Sequence, residues 1–407
     1  MPQRNVPAYI DILAVSFPGE RPGIEALIAD MRALNSEIVR LSQAAGKVDM
    51  RTFPKEFPTL FRHASHTWSQ VVDERLRDPK LKAIFSALWG YYGLPPSKLS
   101  CYYYALPTIG YLDGGGYYPK GRSQAVSDAF VRLIESRGGK VLLKTRVEKI
   151  LVEDGAATGV RCAGGREFRA RAVISNASAS QTFESLLDDS EAVREYRARL
   201  SKYSASLSCF QVFLGLKRDV VGQVGLKDTE IFLESGYDAD ASYEAMRRAD
   251  VERCGAGVMV YDNLYPGYSP KGKNTLNILA LQGFDHWEQF EQDYRAGRKA
   301  AYRAEKERMA AILIQRVEAA LLPGLSKAIK VKEIGTPLTN LRYTGNSRGA
   351  IYGWDQTVAN SGNTRVGHAT TVKNLYLAGA WSKPGHGYGA VLASGPSCFA
   401  EIVRRWS

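Results

Sequence analysis

A short segment near the C-terminus restricts the fold of this chain more than any other. Leu375-Tyr-Leu-Ala-Gly-Ala380 is an apolar run of strand character that passes into glycine-rich backbone, Gly385-His-Gly-Tyr-Gly389, and then into a helical segment from Ala390 to Val403. Small residues in such a turn let backbone amides approach a ligand closely. The helix start carries partial positive charge suited to phosphate or to an electron-rich ring edge. A tight packing turn without a ligand is the plainer reading of the same residues. No GxxxxGKS or GxxxxGKT phosphate loop occurs, and Ala390 stands where the third glycine of a GxGxxG would fall. Gly395-Pro396 is expected to bend the helix or interrupt its start, because proline lacks the N–H that a helix needs.

A second ordered stretch begins at Gly114-Gly115-Gly116. It continues through Tyr117-Tyr-Pro-Lys-Gly121 into a helix expected over 123–136, with Val126, Phe130, Leu133 and Ile134 on one face. Strands are expected at Val141-Leu-Leu143 and over 147–152, 158–162 and 171–176. Asp154-Gly155 is a hairpin signal between two of them. Helix, strand, small meander and returning strand in this order suit part of a doubly wound nucleotide-binding domain, an α/β fold.

The remaining chain reads differently. Pro22, Ile24, Leu27, Ile28, Met31, Leu34, Ile38 and Leu41 follow helical spacing near the N-terminus. Packing on the protein's own core is the favoured reading of that face, with a membrane surface as the alternative. Residues 54–104 mix short helices with aromatics ending in Cys101-Tyr-Tyr-Tyr104, which suits a core edge or the wall of an apolar cavity. Residues 186–335 alternate helices and strands, with a long helix over 300–321, and read as a mixed sheet with helices inserted into the first domain.

Composition narrows the function classes. Net charge is +12, but the 54 Lys+Arg are interleaved with 42 Asp+Glu and no nucleic-acid motif appears, so no nucleic acid partner is expected. The five cysteines have no CxxC pairing and the five histidines no HExxH. Neither a disulfide framework nor a metal site is therefore expected, and His63 and His66 read as structural. No apolar run approaches the ~20 residues of a membrane span, and Met1-Pro-Gln-Arg-Asn5 lacks a signal-peptide core. A cytoplasmic setting is expected, with peripheral contact to a membrane face as a further expectation.

Taken together, Asn374-Leu-Tyr-Leu-Ala-Gly-Ala-Trp381 and Pro384-Gly-His-Gly-Tyr-Gly-Ala-Val-Leu-Ala-Ser-Gly395 resemble the C-terminal FAD-binding segment of the phytoene desaturase, carotenoid isomerase and retinol saturase superfamily. Gly115-Gly-Tyr-Tyr-Pro-Lys-Gly121, Thr145-Arg-Val-Glu-Lys-Ile150 and Ala172-Val-Ile-Ser-Asn-Ala177 follow the family's order. Thr336-Pro-Leu-Thr-Asn340 with Tyr343 and Arg348-Gly-Ala-Ile-Tyr-Gly353 is similar to the isomerase and saturase branch, and Phe17-Pro-Gly-Glu20 matches an early segment.

The resemblance implies an FAD-dependent oxidoreductase acting on a long apolar isoprenoid. Its chemistry would be hydride transfer or flavin-assisted double-bond isomerisation. Val147 would meet the adenine end, Gly379 and Ala380 the pyrophosphate and ribityl chain, and Tyr388, Gly389, Ala390 and Val391 the flavin's pyrimidine edge. A plain strand residue is the competing reading of Val147. Gly115 and Gly116 would border the flavin and substrate cavity. Tyr343 and Arg348 are cavity candidates for which structural roles compete, and no general acid or base is assigned. The FAD-binding domain would comprise 105–185 and 336–407, and the substrate domain 1–104 and 186–335.

One departure matters. Members of this superfamily begin with a strand, GxGxxG and a helix, and no such segment precedes Phe17. The FAD-binding domain is therefore expected to be incomplete, with an apolar edge or cleft that wants covering. Two alternatives follow: a non-catalytic fragment or subunit needing a partner chain that supplies the dinucleotide-binding unit, and an amine oxidase-like flavoenzyme.

Overall fold

The fold is that of a computed structural model, which describes residues 4–44 and 48–406. The first three residues of the N-terminal segment read above lie outside that range.

The chain opens with α1 (Val6–Ser16), capped where Asn5 Oδ1 accepts from the Ala8 amide at 3.1 Å. Next comes α2 (Arg21–Gln43), with Pro22 in its first turn. Ile24, Leu27, Ile28, Met31 and Leu34 are all buried, so the apolar face of α2 packs on the protein's own core, mainly on α3 (Cys101–Gly114). Short helices fill 53–91 between them. The Cys101–Tyr104 cluster is interior: Tyr102 donates to Leu60 O at 2.7 Å, Tyr104 to Phe85 O at 2.5 Å, and Tyr104 stacks on Trp68.

The next helix, α4 (Arg122–Ser136), has no buried residue at all. Phe130 and Leu133 of its apolar face are about half exposed, at 46% and 51%. Val141-Leu-Leu143 forms no strand, contrary to the sequence expectation, and Leu143 is exposed. A strand needs a neighbour to satisfy its backbone, and none lies beside this segment among the described residues.

The expected meander is present as β1 (Val147–Glu153), β2 (Ala156–Cys162) and β3 (Glu167–Arg169), paired antiparallel with Asp154-Gly155 at the first turn. It is followed by β4 (Val173–Ser175) and α5 (Glu191–Leu200). A five-stranded sheet then uses β5 (Ser208–Leu216), β6 (Glu230–Leu233), β7 (Ala256–Met259), β8 (Asn274–Gln282) and, after α6 (Ala300–Ala320), β9 (Ile329–Gly335), in the order β6-β7-β8-β5-β9. Every pairing in it is antiparallel rather than mixed. Only β6, β7 and β8 follow one another as a meander; β8 crosses over through α6 to β9, and β5 lies between those two, antiparallel to both, so no two neighbouring strands are parallel.

The chain ends with α7 (Pro337–Thr344), β10 (Leu375–Leu377) and α8 (Tyr388–Trp406). Contrary to expectation, α8 runs without interruption through Pro396. Pro396 is solvent-exposed, so water can serve the carbonyl left without its helical donor.

Two large cores result. One joins residues of 6–112 to the five-stranded sheet and α6; the other joins the meander, α5 and residues 350–381. This mixture of helix and sheet is the expected α/β class.

Candidate functional site

Strand β10 pairs in parallel with β4, Leu375 opposite Val173 and Leu377 opposite Ser175, and the Ala378 amide extends the ladder to Ser175 O at 3.0 Å. The chain thus leaves β10 at the carboxyl end of a parallel pair, where open α/β sheets place ligands. Gly379 turns it sharply at φ +91°, and a Cβ there would stand 2.2 Å from Asn176 Oδ1. Its amide donates to Ser394 Oγ at 2.9 Å, and Ser394 in turn donates to Lys383 O at 2.8 Å. The turn is thereby tied to α8.

A buried arginine holds the other side. Arg365 is 1% exposed and donates through Nε to Ser382 O at 3.0 Å, through Nη2 to Ala380 O at 2.8 Å, and through Nη1 to Gln356 Oε1 at 2.7 Å. Its guanidinium also lies 5.6 Å from the centre of the Tyr103 ring, and the Tyr103 hydroxyl donates to Pro384 O at 2.8 Å. Burial pushes the guanidinium below its ordinary pKa, and the three oxygens compensate that cost.

Beyond this clamp the backbone opens out. Gly387 has φ +88°, and a Cβ at Gly387 or Gly389 would meet no atom within 4 Å. Tyr388, the first residue of α8, is 60% exposed. The amides of Tyr388, Gly389 and Ala390 precede the bond from Val391 N to Gly387 O, so they belong to the positive end of a 19-residue helix. Open space before two glycines, with unpaired amides beside it, fits one edge of a flavin.

The turn also touches a cavity. The His386 ring lies 4.5 Å from that of Tyr352, and Tyr352, whose hydroxyl donates to Gly90 O at 2.9 Å, lines a largely apolar space with Tyr91, Glu230, Phe232 and Met259. Burial first, and the Arg365 charge second, push the His386 imidazole down to about 3. The folded state therefore resists a proton that the unfolded state accepts near pH 6.5. Stability contributed here is complete above pH 6.5 and is lost as pH falls toward 3, at up to about 1.4 kcal/mol per pH unit for one such group. His386→Gln is expected to flatten that acid limb in urea melts between pH 7 and 4. An unchanged slope would refute the assignment.

The sequence-derived site residues separate into groups. Gly379, Ala380, Tyr388, Gly389, Ala390 and Val391 share the turn and the start of α8. Val147 begins β1, half-buried, opposite Cys162. Gly115 ends α3 at φ +88°, with Gly116 next to it. Tyr343 is 77% exposed, under the Arg342 guanidinium. Arg348 pairs with Asp285 and lies over Phe284 in a separate cleft with Tyr243 and Asp355. Neither residue lines the cavity beside Tyr352. Arg365 and Gln356 carry the turn yet stood out in no motif, whereas His386, inside Gly385-His-Gly-Tyr-Gly389, and Tyr103, inside Cys101-Tyr-Tyr-Tyr104, sat within segments already singled out. Among the described residues no three His, Cys, Asp or Glu side chains cluster for a metal, and no helix is long and apolar enough to cross a membrane.

A model of the flavin containing amine oxidoreductases matches residues 23–395. The chain belongs to this family. Members are flavin-dependent oxidoreductases, so the glycine turn and helix start described above are those of a flavoenzyme fold. The chain is 28% identical over 431 residues to the all-trans-retinol 13,14-reductase of Danio rerio, a match covering 98% of this chain and 68% of that protein. It is 29% identical to the chloroplastic prolycopene isomerase 2 of an Oncidium hybrid cultivar, over 71% of this chain but only 46% of the isomerase. A putrescine oxidase variant shares the fold with a TM-score of 0.56 at 14% identity, over 94% of this chain and 76% of that one.

Proposed function

We propose that this protein is an FAD-dependent oxidoreductase acting on a long apolar isoprenoid of the retinoid or carotenoid kind. The reaction would be hydride transfer or double-bond isomerisation. The observation that carries this reading is Tyr352, which touches His386 of the glycine turn and also walls the apolar cavity. Cofactor turn and cavity therefore share one residue. The relatives named for retinol and prolycopene support the substrate class.

In this reading Tyr388, Gly389, Ala390 and Val391 hold the flavin's pyrimidine edge, Gly379 and Ala380 the pyrophosphate side, and Val147 the adenine end. Gly115 and Gly116 would border the flavin and substrate space without lining the cavity beside Tyr352, and Tyr343 and Arg348 lie outside that cavity. When bound, a flavin supplies reversible two-electron chemistry. The protein's own part is to orient the cofactor by amides fixed through Arg365 and Ser394, and to keep water from one end of the polyene among Phe232, Met246, Met259 and Leu281. The FAD-binding domain takes in most of 105–185 and 336–407 and the substrate domain most of 1–104 and 186–335, but 105–112 pack in the core of the five-stranded sheet and α5 packs with the meander. An amine substrate, as in putrescine oxidase, is the less favoured reading.

A specific observation favours a second element. Phe130 and Leu133 of α4, Ile174 of β4, and Leu392, Phe399 and Val403 of α8 are all at least 46% exposed, around a parallel sheet of only two strands. A βαβ dinucleotide-binding unit, continuous with this chain or on a partner chain, would cover these faces and supply the remaining cofactor contacts.

One experiment tests both. The chain, purified alone and together with a GxGxxG-bearing βαβ unit, is assayed for bound flavin absorbance. Stoichiometric FAD only in the joined form is the expected result. Retention by the chain alone would overturn the need for the unit, and failure in both forms would overturn the cofactor site. Gly389→Ala in the joined form should lose flavin while the helix gains up to about 1 kcal/mol, because its methyl would fill the open space.

A further inference from the structure

Three consecutive tyrosines near the start of α3 send their hydroxyls to three different places. Tyr102 donates to Leu60 O at 2.7 Å and Tyr104 to Phe85 O at 2.5 Å, both on the short helices packed around α3. Tyr103 stands between them and is half-buried where they are buried. Its hydroxyl donates to Pro384 O at 2.8 Å, across 281 residues of sequence, at the head of the glycine turn. Side chains of neighbouring helical residues point about 100° apart, so the middle tyrosine faces the turn while the other two face the core.

The segment that needs holding is 384–389. Gly385 and Gly387 stand at φ +140° and +88°, and glycine can take many other backbone conformations, so the residues themselves do not fix this path. Ser394 holds the carbonyl before it, Lys383 O, and Gly387 O takes the Val391 amide where α8 begins. Between these two points, Tyr103 fixes the plane of the peptide that joins Pro384 to Gly385. Its ring packs on the same glycine: a Cβ on Gly385 would stand 3.2 Å from Tyr103 Cε1. The Arg365 guanidinium lies 5.6 Å from the ring centre, so one side chain meets both the turn and the clamp behind it. Burial raises the phenol above its ordinary pKa, so the hydroxyl keeps its proton and remains a donor.

We infer that Tyr103 is a positioning residue for the flavin: through Pro384 O it holds the start of the glycine turn, and with it the amides of Tyr388, Gly389 and Ala390, in the path a flavin edge needs. The assignment rests on the FAD reading above. It puts one determinant of cofactor binding on α3, which packs in the core of the five-stranded sheet and not with the meander. The same helix ends at Gly115, on the other border of the flavin space. Its 14 residues span about 20 Å, so α3 acts as a strut that sets the turn at one end and the Gly115–Gly116 bend at the other. The hydroxyl matters for the turn more than for the fold. Pro384 is exposed, so water can replace the phenol at its carbonyl, but a water does not fix where that carbonyl points.

Two neighbouring Tyr→Phe changes test this, each removing one hydroxyl from the full chain joined to a GxGxxG-bearing βαβ unit. FAD affinity is read by titration of flavin fluorescence, the flavin environment by its visible spectrum, and stability by the urea midpoint. Tyr103→Phe, which keeps the ring beside Arg365, should weaken FAD binding roughly three- to tenfold. It should also shift the visible spectrum of the bound flavin and leave the urea midpoint near that of wild type. Tyr102→Phe is the matched control: its lost bond to Leu60 O should lower the urea midpoint and leave affinity and spectrum unchanged. Equal FAD affinity in wild type and Tyr103→Phe overturns the assignment and leaves the FAD reading intact. An equal fall in Tyr102→Phe overturns it too, because affinity would then report a general loosening of α3. So does a Tyr103→Phe protein that no longer folds, since the hydroxyl would be holding the fold and not the turn. If wild type takes up no FAD in the joined form, the FAD reading itself falls, and this assignment with it.

Discussion

Replacing Arg365 with methionine should lower unfolding free energy by about 3–5 kcal/mol, the range seen when one member of a buried charged network is removed. The side chain is fully buried, and its three donors serve Ala380 O, Ser382 O and Gln356 Oε1. Methionine fills much the same volume but donates nothing, so all three oxygens lose their partner in a place water does not reach. Gln356 would fare worst, because its Nε2 already has no partner. Lysine should recover only part of the loss: a single ammonium cannot span three acceptors set out for a planar fork. Urea unfolding of the three proteins decides the matter. A methionine variant within about 0.5 kcal/mol of wild type would mean that the clamp carries no stability.

Gly353→Ala attacks the same carbonyl from the opposite side. Gly353 is buried at φ +74°, and an added Cβ would lie 2.7 Å from Ala380 O and 3.0 Å from Ala380 C. The left-handed backbone alone costs about 1–2 kcal/mol for a residue with a side chain, and overpacking against backbone adds about 1–3 kcal/mol. A loss of about 2–4 kcal/mol is expected, together with weaker flavin retention in the joined form, because the displaced carbonyl is the one Arg365 grips. Combining Gly353→Ala with Arg365→Met should cost less than the sum of the two, since both act through Ala380. Strict additivity in the double-mutant cycle would break that link.

Local pattern was readable where a segment's fate depends on its own residues. The spacing of Ile24, Leu27, Ile28, Met31 and Leu34 marked both a helix and its buried face. Asp154-Gly155 marked the hairpin, and the run from Leu375 through Gly389 marked strand, turn and helix. Reading failed where the outcome depended on a neighbour. Phe130 and Leu133 have the spacing of a buried face, but periodicity records what a face can bury and not what lies against it. Val141-Leu-Leu143 has strand composition without a strand beside it. Arg365 was invisible for a related reason: it matters through Ala380, Ser382 and Gln356 in other segments of the chain, and a lone arginine carries no spacing to read.

The pairing of β4 with β10 fixes the order in which the molecule can be completed during synthesis. Val173 finds Leu375 only after the whole five-stranded sheet and α6 have been made, so β4 waits unpaired while the larger core forms. Long-range parallel pairing of this kind is slow to close and leaves strand edges exposed meanwhile. The ribosome must also release α8 before Ser394 can take the Gly379 amide. A nascent chain stopped before Leu375 would already contain the residues that line the cavity and none of the glycine turn from Gly379 to Gly389, so that turn is built last.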